Sequence, residues 1–121
     1  MSALIEVERE DGSVTKYRRH PNGRGFVAVG ADVHPTALVS RGAYVEAGAH
    51  VAVGAQVYEG AWIEEGAEVD AFAIVGAGAR VGRKASVGHN ARIGSRAHVV
   101  SGGSVPPAQT VRLDTRAGVR R

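Results

Sequence analysis

The side chains best suited to chemistry in this chain are five histidines: His20, His34, His50, His89 and His98. A histidine acts as a general base when a carboxylate orients it and the site is closed to water. His50 stands at the edge of an acidic band (Glu46, Glu59, Glu64, Glu65, Glu68 and Asp70), and Glu68, eighteen residues on, is its expected partner. His98 shares an eighteen-residue spacing with Trp62 through Arg80. If the protein is an enzyme, His50 and His98 are the candidate bases; otherwise all five histidines are exposed polar groups. With no cysteine there is neither a disulfide nor a thiolate metal site, and the redox compartment stays open. No two histidines are eighteen residues apart, so one chain builds no imidazole cluster and no metal site is expected.

Other motifs carry less. Gly76-Ala77-Gly78-Ala79 lies inside a longer repeat and precedes no helix, so it is no phosphate loop. The formal charge of +3 is uneven: residues 1–25 carry five basic and four acidic groups, residues 26–105 six and seven, and residues 106–121 four and one. The high pI therefore belongs largely to the tail arginines Arg112, Arg116, Arg120 and Arg121. Lacking interleaved aromatics, they point to docking on a partner protein, and nucleic acid is an unlikely partner. The N-terminus MSALIEVERE has neither the basic nor the apolar region of a secretory signal, and no run approaches the ~20 apolar residues that span a bilayer. A soluble, non-secreted chain with no membrane partner is expected, cytoplasmic or virion-associated.

The element that must position these groups is a repeat. Valine or isoleucine falls at every sixth residue from Val27 to Val111, fifteen times without a miss, with alanine two residues before almost every one. Neither a helix nor an ordinary strand has this period. A chain turning a corner every six residues does, and three such sides close a triangular coil of eighteen. The aliphatic residue and the small residue four positions on point inward. Only six aromatic residues are present, so a stack of valines and alanines replaces a conventional core. Glycine three positions after the aliphatic (Gly30, Gly42, Gly48, Gly54, Gly60, Gly66 and Gly78) suits a corner with positive φ, as does Asn90. A second glycine, directly after the aliphatic, appears as Gly76, Gly82, Gly88 and Gly94.

This pattern resembles the hexapeptide-repeat family, over about 80 of the 121 residues. The resemblance implies an all-β chain: a left-handed parallel β-helix of four to five triangular coils with an N-terminal β-hairpin. Three regions are expected. Residues 1–25 form the hairpin and linker, with Asp11-Gly12 as a type I′ turn signal, acting as a cap or docking element. Residues 26–105 form the β-helix. Residues 106–121 form a basic tail, with Pro106-Pro107 ending the last coil because proline cannot donate to a ladder.

Outward residues eighteen apart stack in columns. One column reads Tyr44, Trp62, Arg80 and His98; a neighbouring one reads Leu38, Gln56, Ile74 and Arg92. Exposed apolar groups so gathered mark an interface, and the family is commonly homotrimeric. Leu38, Tyr44, Trp62, Ile74, Arg80 and His98 are the expected oligomer contacts.

The family's largest enzymatic group transfers acyl groups from acyl-CoA or an acyl carrier, using a histidine base between subunits and often a loop protruding from the coils. Here no loop interrupts the repeat. The segment GGSVPPAQTV, residues 102–111, looks like the end of many such transferases, with Ala108 replacing a glycine. The stretch 87–102 resembles the zinc-binding coil of γ-class carbonic anhydrases, but Ser95 and Val100 stand where that family has histidines. The expectation drawn is a non-catalytic homotrimeric structural module without a cofactor, docking onto a larger assembly such as a virion or shell. An acyl-CoA-dependent hexapeptide-repeat acyltransferase is the alternative.

Overall fold

The computed structural model describes residues 4–113 and 116–117. The six-residue period becomes geometry directly. Two-residue strands alternate with tight corners, and each strand pairs in parallel with the strand eighteen residues away. The result is an all-β solenoid of about five turns, with no helix among the described residues, consistent with the left-handed winding that the family resemblance implies.

Three faces result. The aromatic face stacks Phe26–Ala28, Tyr44–Val45, Trp62–Ile63, Arg80–Val81, His98–Val99 and Arg116–Ala117. The histidine face stacks Asp32–Val33, His50–Val51, Glu68–Val69, Ser86–Val87 and Ser104–Val105. The third stacks Leu38–Val39, Gln56–Val57, Ile74–Val75, Arg92–Ile93 and Thr110–Val111. Inside, the valines, isoleucines and alanines of the repeat form one continuous buried stack from Val27 to Val111. Each buried valine is worth roughly 1.5–3 kcal/mol of apolar transfer. The narrow prism admits nothing larger than isoleucine, so every aromatic ring is left outside or at the end.

The two classes of glycine have different causes. At Gly42 the backbone is left-handed (φ 79°), and a Cβ would meet nothing nearer than 3.6 Å. The same corner accepts Asn90 (φ 61°), Lys84 (φ 59°) and even Phe72 (φ 61°). At Gly82 the backbone is not left-handed, and a Cβ would lie 2.6 Å from Ser101 N in the next coil. This second class is a matter of close backbone approach.

The N-terminus forms the expected hairpin, β1 (Ile5–Glu8) and β2 (Val14–Arg19), and β2 pairs antiparallel with the first solenoid strand, extending the aromatic face. Its turn differs from the type I′ expectation. Glu8 pairs with Val14, which leaves a five-residue loop, Arg9–Ser13, in which Gly12 alone has positive φ. The Asp11 carboxylate accepts from the Ser13 N–H (2.9 Å) and hydroxyl (2.6 Å), holding Asp11 out of the left-handed region that type I′ requires and its own pKa below the ordinary value.

The linker that follows covers the third face's lower edge. Val39 O accepts from Gly25 N (2.8 Å), and Ala37 O accepts from His20 Nε2 (2.8 Å) and Asn22 Nδ2 (3.2 Å). His20 is accordingly buried, unlike the exposed polar group expected at all five histidine positions. At the other end the ladder runs past the expected boundary at residue 105. Thr110–Val111 pairs with Arg92–Ile93, and Arg116–Ala117 with His98–Val99. Pro106 and Pro107 do not stop the chain. They follow Ser104–Val105, the last strand of the histidine face, where no further described strand asks for their missing N–H groups.

Candidate functional site

The column reading holds in register: Tyr44 lies over Phe26, Trp62 over Tyr44, Arg80 over Trp62 and His98 over Arg80. The side chains form a ladder. The Phe26 and Tyr44 rings stack at 4.8 Å, Tyr44 and Trp62 lie 6.0 Å apart, and the Arg80 guanidinium sits 5.1 Å from the Trp62 centroid. Arg19 caps the other end, 4.5 Å from the Phe26 ring centre. Trp62 is the most exposed of the apolar residues expected at an interface, at 41 %; Tyr44, Leu38 and Ile74 are half-buried in the single chain.

Beneath the ladder lies a group that sequence reasoning counted only as part of an acidic band. Glu46 follows inward Val45 at a corner and is 2 % exposed. One oxygen accepts from the Tyr17 hydroxyl (2.8 Å) and from an Arg9 guanidinium nitrogen (3.2 Å). The other accepts from Trp62 Nε1 (2.7 Å). Two neutral donors and one cation thus satisfy a carboxylate that burial alone would expel. Burial of Tyr17, reinforced by the hydrogen bond and charge of Glu46, drives its phenol pKa far above the ordinary value. One coil on, Glu64 pairs with Arg80. Between hairpin and ladder runs a groove of about 720 Å³, lined by Tyr17, Tyr44, Glu46, Trp62 and the hairpin from Val7 to Asp11.

The candidate bases do not come together. His50 is on the histidine face, and its Nδ1 lies 3.3 Å from Asp32 Oδ2, one coil below, rather than beside Glu68 one coil above. Parallel register stacks both carboxylates on His50, and the side chain turns to Asp32. His50 is 60 % exposed and Asp32 77 %, so the pair orients the ring without enclosing it. His98 is exposed on the aromatic face, with Arg80 on the coil below, and has no carboxylate partner among the described residues. Glu65 lies 3.7 Å from Arg83 and is shared with Arg9 at 3.8 Å. Among the described residues no cluster of three histidine, aspartate or glutamate side chains is placed to hold a metal. Of the tail arginines, Arg112 is exposed, Arg116 is described by its backbone alone, and Arg120 and Arg121 lie outside the described residues.

No protein-family model matches the chain, and neither does any curated protein. Solved structures similar to it include the following. The acetyltransferase domain of PglB from Neisseria gonorrhoeae FA1090 in complex with acetyl coenzyme A is 22% identical, over 71% of this chain and 50% of that one, with a TM-score of 0.34. A mutant of perosamine N-acetyltransferase from Caulobacter crescentus, in complex with CoA and GDP-perosamine, is 19% identical over 71% and 50%, also at 0.34. A further structure of the acetyltransferase domain of PglB from Neisseria gonorrhoeae FA1090 is 23% identical over 77% and 51%, at 0.33. The chain spans about half the length of these structures. At these values the likeness assigns neither activity nor ligand to this chain.

Proposed function

We propose that this chain is an acyl-CoA-dependent acyltransferase of the hexapeptide-repeat type, with His50 as general base. The reading rests on one observation, the ion-pair contact of His50 Nδ1 with Asp32 Oδ2 at 3.3 Å, which orients the imidazole on the histidine face. That arrangement is what a general base asks of its orienting partner. His98, without such a partner, ranks below it.

In this reaction Nε2 takes a proton from the acceptor's N–H or O–H as that nitrogen or oxygen attacks the thioester carbonyl carbon. The carbon–sulfur bond then breaks, and the departing CoA thiolate takes the proton from the imidazolium. With His50 60 % exposed in the single chain, enclosure must come from a second copy. A homotrimer, in which the face carrying Leu38 and Ile74 in one copy covers the histidine face of the next, is the assembly proposed. The test is acceptor-dependent release of CoA thiol from acetyl-CoA over a panel of small amines and alcohols. His50→Ala should lower the rate by about 10²–10⁴, while His98→Ala changes it by no more than a few-fold. Equal loss in both variants contradicts the assignment.

A second reading, a non-catalytic trimeric module docked on a larger assembly through its arginine-rich tail, is favoured by one feature: no loop interrupts the coils from Phe26 to Val111. Under it, deletion of residues 112–121 abolishes association with the assembly and leaves the trimer intact. Association that survives the deletion rules out the tail as the docking element.

A further inference from the structure

The groove between the hairpin and the aromatic ladder already holds one ligand-like group. Arg9 belongs to the loop that follows β1 and is itself exposed, yet its guanidinium reaches a carboxylate that is 2 % exposed. The same guanidinium nitrogen is 3.8 Å from Glu65. Around it the groove offers the rings of Tyr44 and Trp62 and the carboxylates of Glu8, Glu10, Asp11 and Glu46, against Arg9 as the one basic residue of its lining. Its volume, about 720 Å³, is far more than one guanidinium fills and lies within the range of small-molecule sites.

Arg9 donates to Glu46 and, within the hairpin, to the Thr15 hydroxyl, and it lies near Glu65. Glu46 is fixed from beneath by the Tyr17 hydroxyl and the Trp62 indole, neither of which carries charge. The hairpin's base is tied to the solenoid by β2, but its loop reaches the solenoid's side chains through Arg9 alone among the described hydrogen bonds and ion pairs. Removing Arg9 therefore leaves a buried carboxylate, preset in orientation, beside aromatic walls and an acidic rim. Such a combination selects a planar, delocalised cation over a neutral molecule of the same shape.

We propose that this groove is a binding site for small guanidinium or amidinium ligands, with Arg9 as its built-in occupant. An incoming cation replaces the Arg9 guanidinium on Glu46 and releases the loop. The proposal stands apart from the acyl-transfer reading, since His50 is on another face and is untouched.

The test uses the full-length chain and its single tryptophan, Trp62, whose indole nitrogen is bonded to Glu46. Ethylguanidinium and its neutral isostere ethylurea are titrated at millimolar concentration into wild type and Arg9→Ala, with fluorescence as the readout. Saturable change with ethylguanidinium, at least tenfold tighter in Arg9→Ala than in wild type and absent with ethylurea, is the expected result. Equal affinity in the two proteins, equal response to the two probes, or no saturable change in Arg9→Ala overturns it. In the Arg9→Ala background, Glu46→Gln should weaken binding at least tenfold. The urea comparison decides the matter even if that double variant fails to fold.

Discussion

Trp62 donates its indole N–H to Glu46 across one coil, at 2.7 Å, so the most exposed ring of the ladder is anchored by one of the most buried carboxylates. That bond joins the solenoid's outer face to the hairpin, because Tyr17 and Arg9 meet at the other oxygen. Replacing Glu46 with alanine removes the acceptor of three donors, one of them charged. Arg9, 38 % exposed, and Trp62 can turn to water, so the loss, about 2–4 kcal/mol, comes mainly from the buried Tyr17 hydroxyl and the cavity left behind. Glu46→Gln keeps shape and one of the two acceptor oxygens and should cost about 1–3 kcal/mol. Urea denaturation of both variants checks the order; equal losses would mean that the charge of Glu46, rather than its shape, carries the stabilisation.

Tyr17 predicts an alkaline limit. Its pKa is raised in the folded state, so the neutral phenol is the form the fold favours. The associated stability is complete below the ordinary value of 10.0 and is lost as pH rises above it, because the unfolded chain then ionises and the folded chain does not. One such group gives a slope of about 1.4 kcal/mol per pH unit in that range. Thermal unfolding of Tyr17→Phe from pH 9 to 11 should lack this component of the decline. An unchanged pH profile would place the titration elsewhere.

The two glycine classes should respond differently to alanine. Gly42→Ala suffers only left-handed strain, about 1–2 kcal/mol, since the nearest neighbour of a Cβ is 3.6 Å away. Gly82→Ala drives a Cβ to 2.6 Å from Ser101 N and 2.8 Å from Val99 O, both backbone, so coils must part. Its cost should exceed that of Gly42→Ala by at least about 1 kcal/mol. Melting temperatures measured side by side decide this, and a reversed order would contradict the distinction.

The solenoid was legible because its signal is periodic and local: Val27 to Val111 and their alanines dictate coil length, faces and register without reference to anything distant. The ladder of Tyr44, Trp62, Arg80 and His98 followed from the same arithmetic. What the period could not carry lay off it. The hairpin loop depends on an Asp11 side chain rather than on the Asp-Gly pair, and His20 is buried because the linker folds under Ala37, a contact seventeen residues away. Glu46 looked like one acid among six. A usable cue was its place two residues after Tyr44 and sixteen before Trp62, where an outward carboxylate meets two rings. The partner of His50 was ambiguous for a physical reason, since stacking puts Asp32 below and Glu68 above at equal register, and only side-chain geometry chooses.

The most direct measurement is calorimetric titration of acetyl-CoA and free CoA into the purified protein. Acyl transfer on this solenoid predicts saturable binding near one site per chain, retained in His50→Ala, where the base is lost but the thioester's carrier is not. No detectable heat at high protein concentration, with the oligomer intact, would contradict it and leave the docking module as the account of this chain.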